Sequence, residues 1–130
     1  MRTKYNSEKI KLPTGEVFDS KKEYGRWGEL KLLERAGKIS QLQRQVRYEL
    51  IPAQYESFPR YGKNGKRIKD GRRCAEKEVI YIADFVYTEN GKTVVEDCKG
   101  YRDPKSTAYA KYAIKRKLMR WRYGLVIRET

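Results

Sequence analysis

The chain has 130 residues and a formal net charge of +14 at pH 7, from 31 Lys and Arg against 17 Asp and Glu. This length predicts a single domain, 1–130, and the excess of positive charge favours a polyanionic partner, above all DNA, over a membrane. Because the sequence contains no His, it excludes Ser-His-Asp hydrolysis, HNH-type nucleases and HExxH metalloproteases. Catalysis would have to use carboxylates, lysines and a metal ion that prefers oxygen ligands.

The N-terminal segment, the hydropathy of the chain and its two cysteines argue against several further classes of protein. The start, MRTKYNSEKIKL, lacks the apolar stretch of a signal peptide, and no segment has the length and character of a membrane helix. Cys74 and Cys98 have neither CxxC spacing nor a His partner, which argues against a zinc site and a disulfide framework. We therefore expect a cytoplasmic protein.

The first predicted elements are a helix and a strand. Apolar residues such as Trp27 and Leu30 recur at helical spacing over 20–36, between a capping Asp19 or Ser20 and the helix-ending Gly37. The run VRYELI alternates and stops at a proline, which predicts a strand over 46–51.

The segment 53–74 contains Pro and Gly but no periodic apolar pattern. It is too long for an ordinary connection, so it should form a mobile arm, an extended hairpin or a solvated linker. Its basic side chains are candidate phosphate contacts: they are Arg60, Lys63, Lys66, Arg67, Lys69, Arg72 and Arg73.

Four more elements complete the chain. Strands are predicted over 78–87 and 93–99 around an Asn90-Gly91 turn, then a helix from Asp103-Pro104 to Arg120, then a strand over 122–129. The order αβββαβ predicts an α/β fold with a mixed sheet and helices packed on it, because the last strand has to return across a helix.

The Asn-Gly turn also predicts a register. If Asn90 and Gly91 form the loop, counting back from the turn places Asp84 opposite Asp97, Val86 opposite Val95 and Ile82 opposite Lys99. Directly opposite residues have Cβ atoms roughly 4.5–5.5 Å apart. Two facing carboxylates repel each other, and a divalent cation such as Mg²⁺ would compensate them. Lys99 could then hold or deprotonate the attacking water, or stabilise charge on a phosphate. The alternative is that these residues form a solvated charge cluster.

Glu23 is a third candidate carboxylate, with two interpretations. It shares a helix stripe with Trp27 and Leu30, which would direct it toward the sheet. The run Ser20-Lys-Lys-Glu23 also matches a capping box, in which Glu23 would bind a backbone N–H at the helix start.

These residues resemble a known superfamily. Glu23, Asp84 and the Asp97-Cys98-Lys99 tripeptide match the pattern of PD-(D/E)XK nucleases, although Ala83 stands where their name has Pro. More narrowly, FDSKKEYGRWGEL, GKISQLQRQVRYEL, YIADFVY, VVEDCKG and YAIKRKLM resemble a family of small, uncharacterised phage proteins similar to Holliday-junction resolvases. The likeness covers about 15–127.

The resemblance implies a restriction-endonuclease-like fold and a role for each matched residue. Asp84, Asp97 and the carbonyl of Cys98 would bind Mg²⁺ or Mn²⁺, Glu23 would complete the shell directly or through water, and Lys99 would serve the nucleophile. Gln45, Lys115 and Lys117 could support the site, although the two lysines could equally belong to a solvated helix face.

The expected activity is metal-dependent cleavage of branched DNA in phage recombination or replication. Such a small chain leaves no obvious module for reading bases, so recognition by shape and phosphate contacts is expected, and two matched cuts would require a homodimer. The alternatives are a nicking or single-strand nuclease, or an inactive nucleic-acid-binding protein of the same fold.

Overall fold

The computed structural model describes residues 9–98 and 103–130. Its elements are, in order, β1 (Ile10–Lys11), β2 (Val17–Phe18), α1 (Lys21–Arg35), β3 (Ser40–Ile51), β4 (Gln54–Tyr61), β5 (Arg67–Glu76), β6 (Val79–Glu89), β7 (Lys92–Asp97), α2 (Thr107–Tyr123) and β8 (Ile127–Glu129). Neither helix in this part of the chain has the length and hydropathy of a membrane crossing.

The main sheet is mixed, which confirms the predicted fold class. Its strand order is β3-β6-β7-β8; β3, β6 and β7 pair in antiparallel fashion, whereas β8 runs parallel to β7. Omitting β1, β2 and the β4–β5 hairpin leaves the predicted order αβββαβ. A parallel neighbour needs a crossover connection, and α2 supplies it.

The two helices cover opposite faces of this sheet. Val94 packs in the cluster that α1 contributes to through Leu30, whereas Val95 packs in the cluster that α2 contributes to through Met119. Because successive residues of a strand point to opposite faces, one helix lies on each side. The candidate site lies where β7 ends between these two layers.

The first helix agrees with its prediction and the second differs at both ends. Ser20 caps α1 by accepting a hydrogen bond from the backbone of Glu23. Asp103, by contrast, caps a turn that precedes α2, and Ser106 is the helix cap. The helix then continues to Tyr123 because Gly124 ends it in the left-handed conformation, with φ at 68°; the predicted strand over 122–129 shortens accordingly.

The segment 53–74 is an extended hairpin. The strands β4 and β5 pair only with each other among the described residues, as a sheet of their own. Phe58 lies across Gly71, where an added Cβ would come within 2.3 Å of the ring. This position therefore needs glycine for a close approach, and the ring covers the paired backbones at the middle of the hairpin.

Candidate active site

The Asn-Gly turn sets the predicted register. Asn90 and Gly91 both have positive φ values, 52° and 77°, as a type I′ turn requires. The pairs from Glu89–Lys92 to Phe85–Glu96 follow the predicted count. The observed pairing ends at Phe85–Glu96, one position short of Asp84 and Asp97, so that their facing each other stays a prediction.

Asp97 is buried, with 6% of its surface exposed. Its Oδ2 accepts a hydrogen bond of 2.6 Å from the hydroxyl of Tyr81 on β6. Burial, together with the charges of Asp97 and Asp84, raises the pKa of Tyr81. The Tyr81 hydroxyl therefore stays protonated and holds the Asp97 carboxylate in a fixed orientation.

Asp84 accepts a hydrogen bond of 2.7 Å from the backbone N–H of Cys98 to its Oδ2. The bond ties β6 to the residue just after β7. Burial raises the pKa of the Cys98 thiol, and the charges of Asp84 and Glu23 raise it further. Cys98 thus lies within electrostatic reach of both carboxylates.

The strand β6 changes sides at Asp84. Ala83 packs in the cluster on the α2 face, whereas Phe85, two positions along, packs in the cluster on the α1 face. Residues two apart in a regular strand share a face, so the alternation is broken between them. Asp84 therefore occupies an irregular position, which a regular-strand register does not anticipate.

Gln45 occupies the matching position on β3. The pairing of β3 with β6 passes over Gln45 and Asp84, and Gln45 has φ at 54°, a conformation that costs a non-glycine residue on the order of 1–3 kcal/mol. Its Nε2 donates a hydrogen bond of 3.0 Å to Oε1 of Glu23. The strained backbone thus coincides with a side chain that connects β3 to α1.

Glu23 has contacts that agree with both interpretations of its position, toward the sheet and at the helix start. Its Oε2 accepts a hydrogen bond of 3.3 Å from the backbone of Asp19 at the helix start, while its Oε1 faces Gln45 and lies 3.6 Å from Arg44. Only 3% of its surface is exposed. Burial, followed by the charge of Asp19, raises the pKa of Glu23, so the environment disfavours the ionised carboxylate.

Glu96 is a buried acid that was not among the residues singled out from the sequence. It is fully buried and accepts two hydrogen bonds from Arg26 on α1, at 2.9 and 2.7 Å, and a third from Tyr87. Burial by itself would raise the pKa of Glu96, but the bonds from Arg26 and Tyr87 bring it below its ordinary value. Glu96 therefore holds α1 on the sheet, on the face opposite Asp97.

The supporting lysines have different positions. Lys115 is half-buried and follows Tyr112 by three residues on α2, so it lies on the side of the helix that faces the sheet. Lys117 is exposed on another side of the helix. Burial and the charge of Asp97 raise the pKa of Tyr112, so the side of α2 that faces the sheet lies near the site. Lys99 lies outside the described residues.

The donor set suits a hard divalent cation. The carboxylates of Asp84 and Asp97 and the carbonyl of Cys98 offer oxygen atoms, and Mg²⁺ in proteins uses one or two carboxylates with water and phosphate at its other positions. The described part of the chain has no group of three or more His, Cys, Asp or Glu side chains arranged to hold a metal. The two aspartates would accordingly need the carbonyl, water or substrate to complete a shell.

The predicted phosphate contacts all lie on the β4–β5 hairpin and are exposed. Arg72 stacks over Tyr55 at 4.1 Å, and Arg73 lies over Phe58 at 5.2 Å while it pairs with Glu56. A planar guanidinium group that stacks on an aromatic ring keeps its N–H donors free at the edge of the stack. The hairpin is thus a basic ribbon with aromatic support.

Comparison with protein families places the chain in one of them. It belongs to the family described as "Protein of unknown function (DUF1064)", which matches residues 2–129. Comparisons with curated proteins and with solved structures gave no match. The family description names no activity, so the function has to be argued from the site itself.

Proposed function

We propose that this DUF1064 protein is a metal-dependent endonuclease that hydrolyses phosphodiester bonds in branched DNA. The observation that carries the proposal is that Asp84 and Asp97 both act on the Tyr81 hydroxyl, at the place where the pairing of β6 with β7 ends at Phe85–Glu96. Each carboxylate accepts a hydrogen bond that orients it, from Cys98 and from Tyr81. In metal sites, hydrogen bonds of this kind hold the ligating carboxylates in a fixed orientation.

Asp84, Asp97 and the carbonyl of Cys98 would hold Mg²⁺ or Mn²⁺, with Glu23 as a direct ligand or a ligand through water. When bound, such an ion supplies Lewis-acid stabilisation of the phosphoryl oxygens and lowers the pKa of a bound water. Gln45 orients Glu23 through the 3.0 Å bond to its carboxylate. Lys99, placed by sequence next to Cys98, would serve the nucleophile.

The basic ribbon explains how DNA would reach this site. The ribbon continues from the start of β6, and Asp84 lies five residues along that strand from Val79, or roughly 17 Å at the usual rise per residue. A two-stranded β-ribbon is one of the few elements that a DNA major groove admits. The ribbon would therefore grip an arm of the substrate through its phosphates while the strand to be cut lies at Asp84 and Asp97.

Branched DNA is the proposed substrate because the exposed cations of the ribbon suit phosphate contacts, which carry no sequence information. Recognition would rest on shape and phosphate contacts, with two chains acting as a homodimer in the host cytoplasm to make paired cuts. A single-strand or nicking nuclease is the second candidate. It is favoured by Tyr55 and Tyr61, 54% and 63% exposed on the ribbon, because exposed aromatic rings stack on unpaired bases.

A substrate panel tests the proposal. The purified protein is incubated with four-way junction, flap, single-stranded and linear duplex DNA of matched sequence, with Mg²⁺, with Mn²⁺ and with EDTA, and products are resolved on denaturing gels. We expect cleavage near the branch that EDTA abolishes. Cleavage confined to single strands would favour the second candidate, and cleavage confined to linear duplex would exclude junction selectivity. Binding without any cleavage would leave an inactive nucleic-acid-binding protein.

A further inference from the structure

A cleft of about 450 Å³ lies between α1 and the ends of β7 and β8. It is lined by Lys22, Gly25, Arg26, Glu29, Cys98 and Thr130. The four helical residues recur at i, i+3, i+4 and i+7, so they form one face of α1. One residue of the lining, Cys98, donates its backbone N–H to Asp84, so the cleft shares a residue with the candidate site.

The sequence of α1 is locally unfavourable on this face. Gly25 lies in the helix interior, where glycine is less favourable than alanine because its backbone is freer in the unfolded chain. A Cβ added at Gly25 would meet no atom within 4 Å in residues 9–98 and 103–130. Close packing against this part of the chain therefore does not require glycine here.

The charges of the first turn point the same way. Lys21 and Lys22 stand at the helix N-terminus, where the aligned peptide dipoles disfavour positive side chains and favour an anion. By intrinsic propensity and the helix dipole alone, neither the glycine nor the lysines favour the helix. Local choices that oppose folding are expected where a ligand binds.

We propose that this cleft holds the sugar–phosphate backbone of the strand to be cut, lying against α1 at Gly25 with Lys22 beside it. The missing side chain leaves room for close approach of the strand, and a volume of this size accommodates a nucleotide unit. The strand then reaches Asp84 past Cys98. This inference rests on the proposed function for the identity of the ligand.

Gly28 provides a matched control. It lies in the same helix, is exposed, and an added Cβ would meet no atom of the described residues within 4 Å. It is not part of the cleft lining. Substitutions at Gly25 and Gly28 thus have the same effect on helix propensity and differ in their position relative to the cleft.

The test compares Gly25→Ala and Gly25→Leu with Gly28→Ala and Gly28→Leu. Affinity for a four-way junction and for a single-stranded oligonucleotide is measured by fluorescence anisotropy in EDTA, and stability by urea unfolding. We expect all four variants to unfold at a urea concentration equal to or above that of the wild type. Gly25→Leu should weaken DNA binding about tenfold or more, a change of 1.4 kcal/mol, with a smaller loss in Gly25→Ala and none at Gly28.

The outcomes separate this inference from the proposed function. If Gly25→Leu binds DNA as tightly as Gly28→Leu, the cleft does not hold the strand, whatever the wild type cuts. If the wild type binds DNA but cuts nothing, the nuclease proposal fails while the contrast between the two glycines still decides the inference. If the wild type binds no nucleic acid, both fail.

Discussion

Two neighbouring residues of β7 show how differently one strand can use a buried acid. Glu96 is enclosed on the α1 face by Arg26 and Tyr87, and this environment lowers its pKa. Asp97 is buried on the opposite face, beside Asp84, with a neutral hydroxyl as its donor from Tyr81. The first arrangement neutralises a charge inside the fold, and the second concentrates acids where an external cation could neutralise them.

Among the substitutions that test this difference, Asp97→Asn should have the largest effect, which is a loss of DNA cleavage. Because Asp97 is a proposed metal ligand, its removal would forfeit several kcal/mol of transition-state stabilisation, which corresponds to a loss of roughly 10²- to 10³-fold in rate. Stability should change little, because the asparagine oxygen can still accept from Tyr81. Single-turnover cleavage measures the first effect, and urea unfolding measures the second. Normal cutting by Asp97→Asn would remove this residue from the site.

Glu96→Gln should produce the opposite pattern. It leaves the Arg26 guanidinium, 23% exposed, without its buried anion, and breaking such a pair costs about 3–5 kcal/mol. Urea unfolding measures the loss, with Glu29→Gln as control because it removes only the exposed partner of Arg26 and should cost about 1 kcal/mol or less. Cleavage per folded molecule should remain. A Glu96→Gln variant as stable as Glu29→Gln would contradict the structural role.

The smallest expected effect lies in the pH dependence of stability, where Glu96 and Glu23 have opposite signs. The lowered pKa of Glu96 means that its contribution is present above its ordinary pKa of 4.5 and is lost as pH falls through the folded value. The raised pKa of Glu23 means that its contribution is present below 4.5 and is lost as pH rises through the folded value.

Unfolding free energies of three proteins across this pH range check the signs. The deficit of Glu96→Gln relative to wild type should narrow as the solution becomes more acidic. The difference between Glu23→Gln and wild type should shift in favour of the variant as pH rises. Parallel profiles for the wild type and both variants would show that neither carboxyl is perturbed.

The sequence was sufficient for the features that depend on local signals. The Asn90-Gly91 turn set the register of β6 and β7, and Ser20 marked the start of α1. The hairpin at 53–74 was one of three alternatives, because its strands lack a buried face and hence a period-2 pattern. Asp103 was mistaken for the cap of α2 because an Asp-Pro pair signals a turn as well as a helix start.

Long-range features could not be obtained in this way. The role of Glu96 depends on Arg26, which lies seventy residues earlier in the chain, and no local pattern connects them. The first half of β3 is strand because it pairs with β6, although SQLQRQ has little apolar content. The left-handed conformation of Gln45 likewise follows from its place at the break opposite Asp84, and glutamine carries no signal for it.

The edges of the main sheet have a consequence for self-association. Within the described residues, one edge is β8, a strand of three residues, and the other is β3, which is interrupted by left-handed backbone at Gln41 and Gln45. Short or distorted edge strands are poor templates for adding a strand from another chain. A protein with this much β-structure is thereby guarded against edge-to-edge aggregation, and two copies that pair would have to meet through helices or through the ribbon.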